Sequence, residues 1–255
     1  MAKGKRSGAE GTGTPGRQRL GNQILNSLPA PAMEALSPAV EYADTRRGES
    51  LFEPGDEVTH ACFPLGPTVI AFVLPMRDGR MVEAATIGRE GAVGGVVSLG
   101  LKPAFARAAV RIAGPVARVP IARLEDAKRA TPRVHDIFSR YADCLTAQVL
   151  QSVGCAALHP LEARCARWLL MTHDRLQEPV LPLTQESLAE MFGVARTYMT
   201  RIARLLEERG AISRRRGAMC IEARSVLEEI SCECYGRVRR HFERVLPGLY
   251  PRAEP

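Results

Sequence analysis

Residues 183–201 read Leu183-Thr184-Gln185-Glu186-Ser187-Leu188-Ala189-Glu190-Met191-Phe192-Gly193-Val194-Ala195-Arg196-Thr197-Tyr198-Met199-Thr200-Arg201. Thr184 stands where a helix N-cap belongs, and Leu188, Ala189 and Phe192 share one face of a short helix over 185–192. Gly193 ends it, because glycine enters the left-handed turn without a Cβ clash. A second helix over 196–209 sets Met199, Ile202, Ala203 and Leu206 on one face and Thr197, Thr200, Arg201 and Arg204 on the other. Any amphipathic helix has two such faces, and a charge run alone is a solvated surface. Here small Ala189, then Gly193, then apolar Met199 and Ile202 coincide at the spacings that two closely crossing helices require. The joint pattern points to a helix-turn-helix with a cationic recognition face.

Beyond Gly210, residues 211–215 and 219–222 read as short strands joined through Arg216-Gly217-Ala218, a basic hairpin or wing. Between residues 193 and 217 seven arginines stand against two acids, Glu207 and Glu208, in a chain of formal net charge +7. Basic surface gains free energy by displacing the counterions condensed on phosphates, so double-stranded DNA is the expected partner. Arg214, Arg215 and Arg216 at the wing suit phosphates, which carry no base code. Arg196 and Arg201 lie in the N-terminal half of the second helix, where a bidentate arginine reads guanine. Thr184, Thr197, Tyr198, Thr200 and Arg204 complete the expected DNA-facing set. The alternative is a ligand-binding module whose C-terminal domain docks a protein. Steep salt dependence separates the two.

Working outward, 255 residues that are 45% hydrophobic and 25% charged suit two soluble domains. No run approaches the roughly 18 apolar residues of a membrane span. Residues 1–19 are rich in Gly, Thr, Ser, Lys and Arg, and predict a disordered basic tail. From 42 to 121, short β-branched runs are broken by Pro54-Gly55-Asp56, Leu65-Gly66-Pro67 and Gly114-Pro115, the texture of a β-sandwich or barrel. Residues 69–74 and 81–87, around Asp78-Gly79, make the clearest hairpin. In 107–113, Ala108, Val110 and Ile112 face one way, Arg107 and Arg111 the other. From Pro132 to Gly154 a long helix carries Ile137, Tyr141, Leu145 and Val149 at near four-residue steps, a stripe for its own β-domain and for a second copy. A further helix over 161–176 follows the break at His159-Pro160, the expected domain boundary.

Seven scattered cysteines do not form a disulfide framework and suit a reducing cytoplasm. Cys232 and Cys234, one residue apart, lack the second pair of a structural zinc site, so neither metal nor cofactor is expected. The histidines stand apart from any nucleophile elbow, zinc helix or phosphate loop, which argues against an enzyme.

The 183–201 motif, with Gly48-Glu49-Ser50-Leu51-Phe52-Glu53-Pro54-Gly55-Asp56, resembles the Crp/Fnr family of regulators. The resemblance implies an α+β chain. Its parts are a cyclic-nucleotide-binding-like β-roll over 20–131, a dimerisation helix over 132–158, and a winged helix-turn-helix with a C-terminal helix over 159–255. It also implies a homodimer on a palindromic operator, with RNA polymerase as a further partner and a small-molecule effector. Relatives that bind cyclic nucleotides use a Gly-Glu pair and an Arg-Ser pair, where this chain has Gly94-Gly95 and Arg107-Ala108. Cyclic AMP is therefore not expected, and Gly94, Gly95 and Arg107 remain as an anion-binding candidate. The first cysteine is Cys62, so the N-terminal cysteine cluster of the iron-sulfur sensors is missing. The segment 231–246 extends past the shared fold as another helix, expected to pack on the winged domain.

Overall fold

The computed structural model describes residues 21–96 and 102–251, so the expected tail lies outside the described residues. Helices α1 (Gln23–Ser27) and α2 (Ala30–Leu36) lead into seven strands: β1 (Glu41–Asp44), β2 (Ser50–Phe52), β3 (His60–Pro64), β4 (Val69–Pro75), β5 (Met81–Ile87), β6 (Arg107–Ile112) and β7 (Pro115–Pro120). They form two antiparallel sheets, ordered β1-β7-β3 and β2-β6-β4-β5. The β4–β5 hairpin turns as the sequence expects. Gly79 sits at φ +82°, and the Arg80 amide donates to Asp78 Oδ1 at 3.0 Å. On β6, Ala108, Val110 and Ile112 are buried, and Arg107 and Arg111 are only partly exposed. The arginine face is only partly open to water, and each guanidinium is held by an acid, Arg107 by Glu53 and Arg111 by Glu83.

Helix α3 (Ile121–Ala130) precedes the long α4 (Pro132–Leu158), which buries Val134, Ile137, Phe138, Tyr141 and Cys144 on the β-domain. Tyr141 Oη donates to the Ala92 carbonyl at 3.0 Å, and Gln148 Nε2 to the Thr86 carbonyl at 3.0 Å. These bonds fix the helix across the end of β5 and the loop after it. The C-terminal domain follows as α5 (Leu161–Leu176), β8 (Val180–Leu181), α6 (Gln185–Phe192), α7 (Arg196–Glu208), β9 (Ile212–Arg215), β10 (Ala218–Ile221) and α8 (Arg224–Ile230). Strand β8 pairs with the wing, giving a β8-β10-β9 sheet. The last helix, α9 (Cys234–Val245), departs from expectation. Only Tyr235 joins the core of the winged domain, whereas Val238, Phe242, Leu246 and Tyr250 enter the N-terminal core beside α4. Its apolar stripe is thereby removed from water against α4 rather than against the winged domain.

Among the described residues no helix is long and apolar enough to cross a membrane.

Candidate nucleic-acid interface

Helix α6 starts at Thr184, whose Oγ1 accepts from the Ser187 amide at 3.1 Å while Ser187 Oγ accepts from the Thr184 amide at 3.0 Å. This reciprocal box satisfies two amides that the first turn leaves without partners. Gly193 ends the helix at φ +64°, and a Cβ there would lie 3.2 Å from the Met81 carbonyl. Glycine is thus needed twice, for the turn and for the approach of β5. Met199, Ile202, Ala203 and Leu206 of α7 are buried against α5 and α6. That burial fixes the rotation of the helix and turns its other side outward.

On that side Arg196, Thr197, Tyr198, Arg201 and Arg204 are exposed, and Thr184 and Thr200 are half-buried. Thr200 Oγ1 donates to Gln185 Oε1 at 3.2 Å, so Gln185 belongs to the same surface although the sequence did not single it out. Arg201 lies over the Tyr198 ring at 4.8 Å, which orders both side chains. Arg196 makes a loose pair with Glu186 at 3.6 Å, and Arg204 pairs with Glu208 at 2.8 Å. In the wing, Gly217 takes φ +76° and Arg214, Arg215 and Arg216 are exposed. Of the three, Arg214 has an acid partner. Its Nε donates to Glu207 Oε1 at 2.6 Å, bracing the wing on α7. Among the described residues no ion pair engages Arg201, Arg215 or Arg216. Three exposed cationic groups, one on α7 and two in the wing, therefore have no acid partner among the described residues.

The expected effector residues are not brought together. Gly94 (φ +84°) and Gly95 (φ +58°) line a cavity of about 370 Å³ walled by Phe52, Phe72, Leu74, Leu145 and Val149. A Cβ at Gly95 would lie 2.5 Å from Ile121 Cδ1, so the isoleucine occupies the space a carboxylate side chain would need. Arg107 turns away to Glu53 at 2.8 Å, holding that carboxyl below its ordinary range chiefly by the hydrogen bond. Lys102, at the cavity edge, is paired with Glu125. The cavity is apolar where a nucleotide phosphate would need donors.

Sequence reasoning also missed the polar groups that join the domains. Arg175 of α5 is 1% exposed and binds Glu90 at 2.7 Å, donating as well to the Thr86 carbonyl at 2.9 Å. Trp168 Nε1 donates to Glu83 Oε1 at 2.6 Å. Burial pushes the Glu83 carboxyl up, against the opposing pull of Arg111. No local pattern marks such residues, since their partners lie over 80 positions away. The expectation that Cys232 and Cys234 lack further ligands also fails, because α4 brings Cys155 and His159 beside them.

Residues 163–230 match the family model described as a Crp-like helix-turn-helix domain. No curated protein matches the chain. Among solved structures, FixK2 from Bradyrhizobium japonicum is 15% identical, with a TM-score of 0.66 over 76% of this chain and 98% of that one. A putative Crp/Fnr-family regulator from Eubacterium rectale is 15% identical, with a TM-score of 0.61 over 81% and 96%. The c-di-GMP-responsive regulator CLP of Xanthomonas campestris is 16% identical, with a TM-score of 0.59 over 76% and 100%. At these identities the likeness is one of fold, and the fold is that of Crp/Fnr regulators.

Proposed function

We propose that this chain, with a Crp-like helix-turn-helix on the fold of the Crp/Fnr regulators, is a sequence-specific DNA-binding transcription regulator of that type. It acts as a homodimer in the cytoplasm and has no catalytic role. The observation that carries the reading is the outward cationic face of α7 together with the basic wing, with Arg201, Arg215 and Arg216 free of acid partners among the described residues. Arg196 and Arg201 read base edges, and Arg215 and Arg216 grip phosphates. Arg214, tied to Glu207, positions the wing. Thr184, Gln185, Thr197, Tyr198, Thr200 and Arg204 lie around these contacts.

Two copies are needed to present two recognition helices, and α4 supports this. Leu150 is 67% exposed and Val153 66%, and with Thr146 and Ala157 they fall at the alternating three- and four-residue steps of a helix-pairing seam. The effector that suits the β-domain is a small, mostly apolar molecule, since a cavity of about 370 Å³ lies within the usual range for ligand sites and is walled by carbon. RNA polymerase is the further partner of a promoter-bound protein of this kind.

The test is selection of bound duplexes from a random pool by the full chain, followed by a salt series on the winner and a scrambled duplex. The expected winner is a palindrome with half-site centres about 34 Å apart and affinity that falls steeply with salt. A protein-docking C-terminal domain would enrich no sequence and show a flat salt response.

A further inference from the structure

Four side chains with ligating atoms meet where α4 ends and α9 begins, outside the DNA-facing surface. Cys155 lies on the last turn of α4 and His159 is its C-cap residue. Cys232 follows α8, and Cys234 opens α9. One ligand atom from each lies within 4.8 Å of all the others. Cys155 Sγ is 3.5 Å from Cys232 Sγ, and His159 Nδ1 is 3.4 Å from Cys234 Sγ. An ion held tetrahedrally at about 2.3 Å by sulfur and about 2.0–2.1 Å by nitrogen spaces its ligands about 3.5–3.8 Å apart. The two contacts therefore have the length of tetrahedron edges. A disulfide would require the Cys155 and Cys232 sulfurs to close to about 2.05 Å, and it would leave Cys234 facing His159 unexplained. A polynuclear iron-sulfur cluster would spread its ligands further apart.

The surroundings are those of a ligand set. His159 presents Nδ1 to Cys234, while its Nε2 faces Glu233 Oε2 at 3.3 Å. A carboxylate there holds the proton on Nε2 and leaves the Nδ1 lone pair for a metal. Gln151 Nε2 donates to Cys234 Sγ at 3.0 Å, as suits a thiolate. Cys155, Cys232 and Cys234 are buried and packed with Ala163, so water has little access. We propose that Cys155, His159, Cys232 and Cys234 form a closed Cys3His site for one zinc-class divalent cation. Three thiol protons leave to solvent as three metal–sulfur bonds form, and His159 keeps its Nε2 proton, so no electron is transferred. With four protein ligands no position is left for substrate, and the site is structural. It fastens α9 to the end of α4, at the junction with the DNA-binding domain, and does so whether or not the DNA reading holds.

The test uses the full-length chain, purified reduced and without chelator, with metal content measured by elemental analysis and the apo chain titrated with Co²⁺. About one ion per chain is expected, with sulfur-to-cobalt charge-transfer and tetrahedral visible bands that Zn²⁺ abolishes. Cys232→Ser/Cys234→Ser should lose both signals. Glu233→Gln keeps all four ligands and should weaken affinity about 10- to 100-fold. A reduced chain with native circular dichroism that takes up no cobalt would overturn the proposal, with or without a Cys155–Cys232 disulfide in the oxidised protein. Cobalt bands that persist in the double variant would overturn it equally.

Discussion

Arg201 and Arg215 carry the same charge and differ in setting. Arg201 rests on the Tyr198 ring of a rigid helix, and Arg215 stands at a hairpin tip. Under the proposed function, a guanidinium held on a rigid helix suits a base edge, and one at a hairpin tip suits a phosphate. Arg201→Ala should therefore cost about 1–3 kcal/mol on the selected operator and relax base choice. Arg215→Ala should weaken all duplexes alike and flatten the salt slope by about one unit. Binding of each variant to operator and scrambled duplexes across a salt series checks both, and loss of operator preference by the wing variant alone would reverse the roles. The exposure of both side chains was legible in the sequence, because helical period and turn glycine fixed their face. The partner of Arg214 was not, since its bond to Glu207 depends on how the wing packs on α7. A second residue-scale consequence concerns Lys128, which donates to the Val96 carbonyl at 2.9 Å and lies over the Phe138 ring at 4.7 Å. Burial, reinforced by Lys102, lowers it from 10.5 to about 8. Between those values the unfolded chain binds more protons than the folded one, so this residue's contribution to stability rises as pH climbs. Wild type should gain melting temperature over Lys128→Met from about pH 7.5 to about pH 9.5, and parallel curves would refute the assignment.

Helix α4 shows why element-level reading succeeds in part. The expected stripe of Ile137 and Tyr141 is buried on the β-domain, as periodicity requires, with Leu145 and Val149 half-buried at the cavity. A single amphipathic stripe was taken to serve both the domain and a second copy. Beside that stripe the helix also exposes Leu150 and Val153. Sequence alone could not separate them, because one helix repeat fits either stripe and only the sheet underneath chooses. The same limit hid the link from Cys155 to Cys232, since the return of α9 onto α4 is a tertiary event. Leu150→Asp/Val153→Asp adds charge to the exposed face without touching the buried one. Sedimentation should show a shift from dimer to monomer at micromolar concentration with helical circular dichroism unchanged, and operator affinity should fall with it. A variant that stays dimeric would move the interface elsewhere.

At the scale of the molecule, the two domains are joined by buried polar groups. Arg175 in α5 reaches Glu90, which precedes the loop that carries Gly94 and Gly95 along the cavity wall. Position of the DNA-binding domain and shape of the cavity wall are thereby linked through one ion pair and its hydrogen bonds to Thr86. A buried pair adds little net stability against an apolar replacement, yet removing one partner strands a charge at about 3–5 kcal/mol. Arg175→Met leaves the Glu90 carboxylate in that state, and it should loosen the docking of α5 before either core melts. The only tryptophan of the chain, Trp168, donates to Glu83 across the same interface, so its fluorescence reports docking while far-ultraviolet circular dichroism reports both domains. In urea the two signals should coincide for wild type, and in Arg175→Met the fluorescence transition should come first. Arg175→Met/Glu90→Leu removes the stranded charge, and should recover much of the lost midpoint because the penalty belongs to the unpaired carboxylate. Coincident transitions in the single variant, or a double variant weaker than the single one by the full added cost, would show that the pair does not hold the domains together.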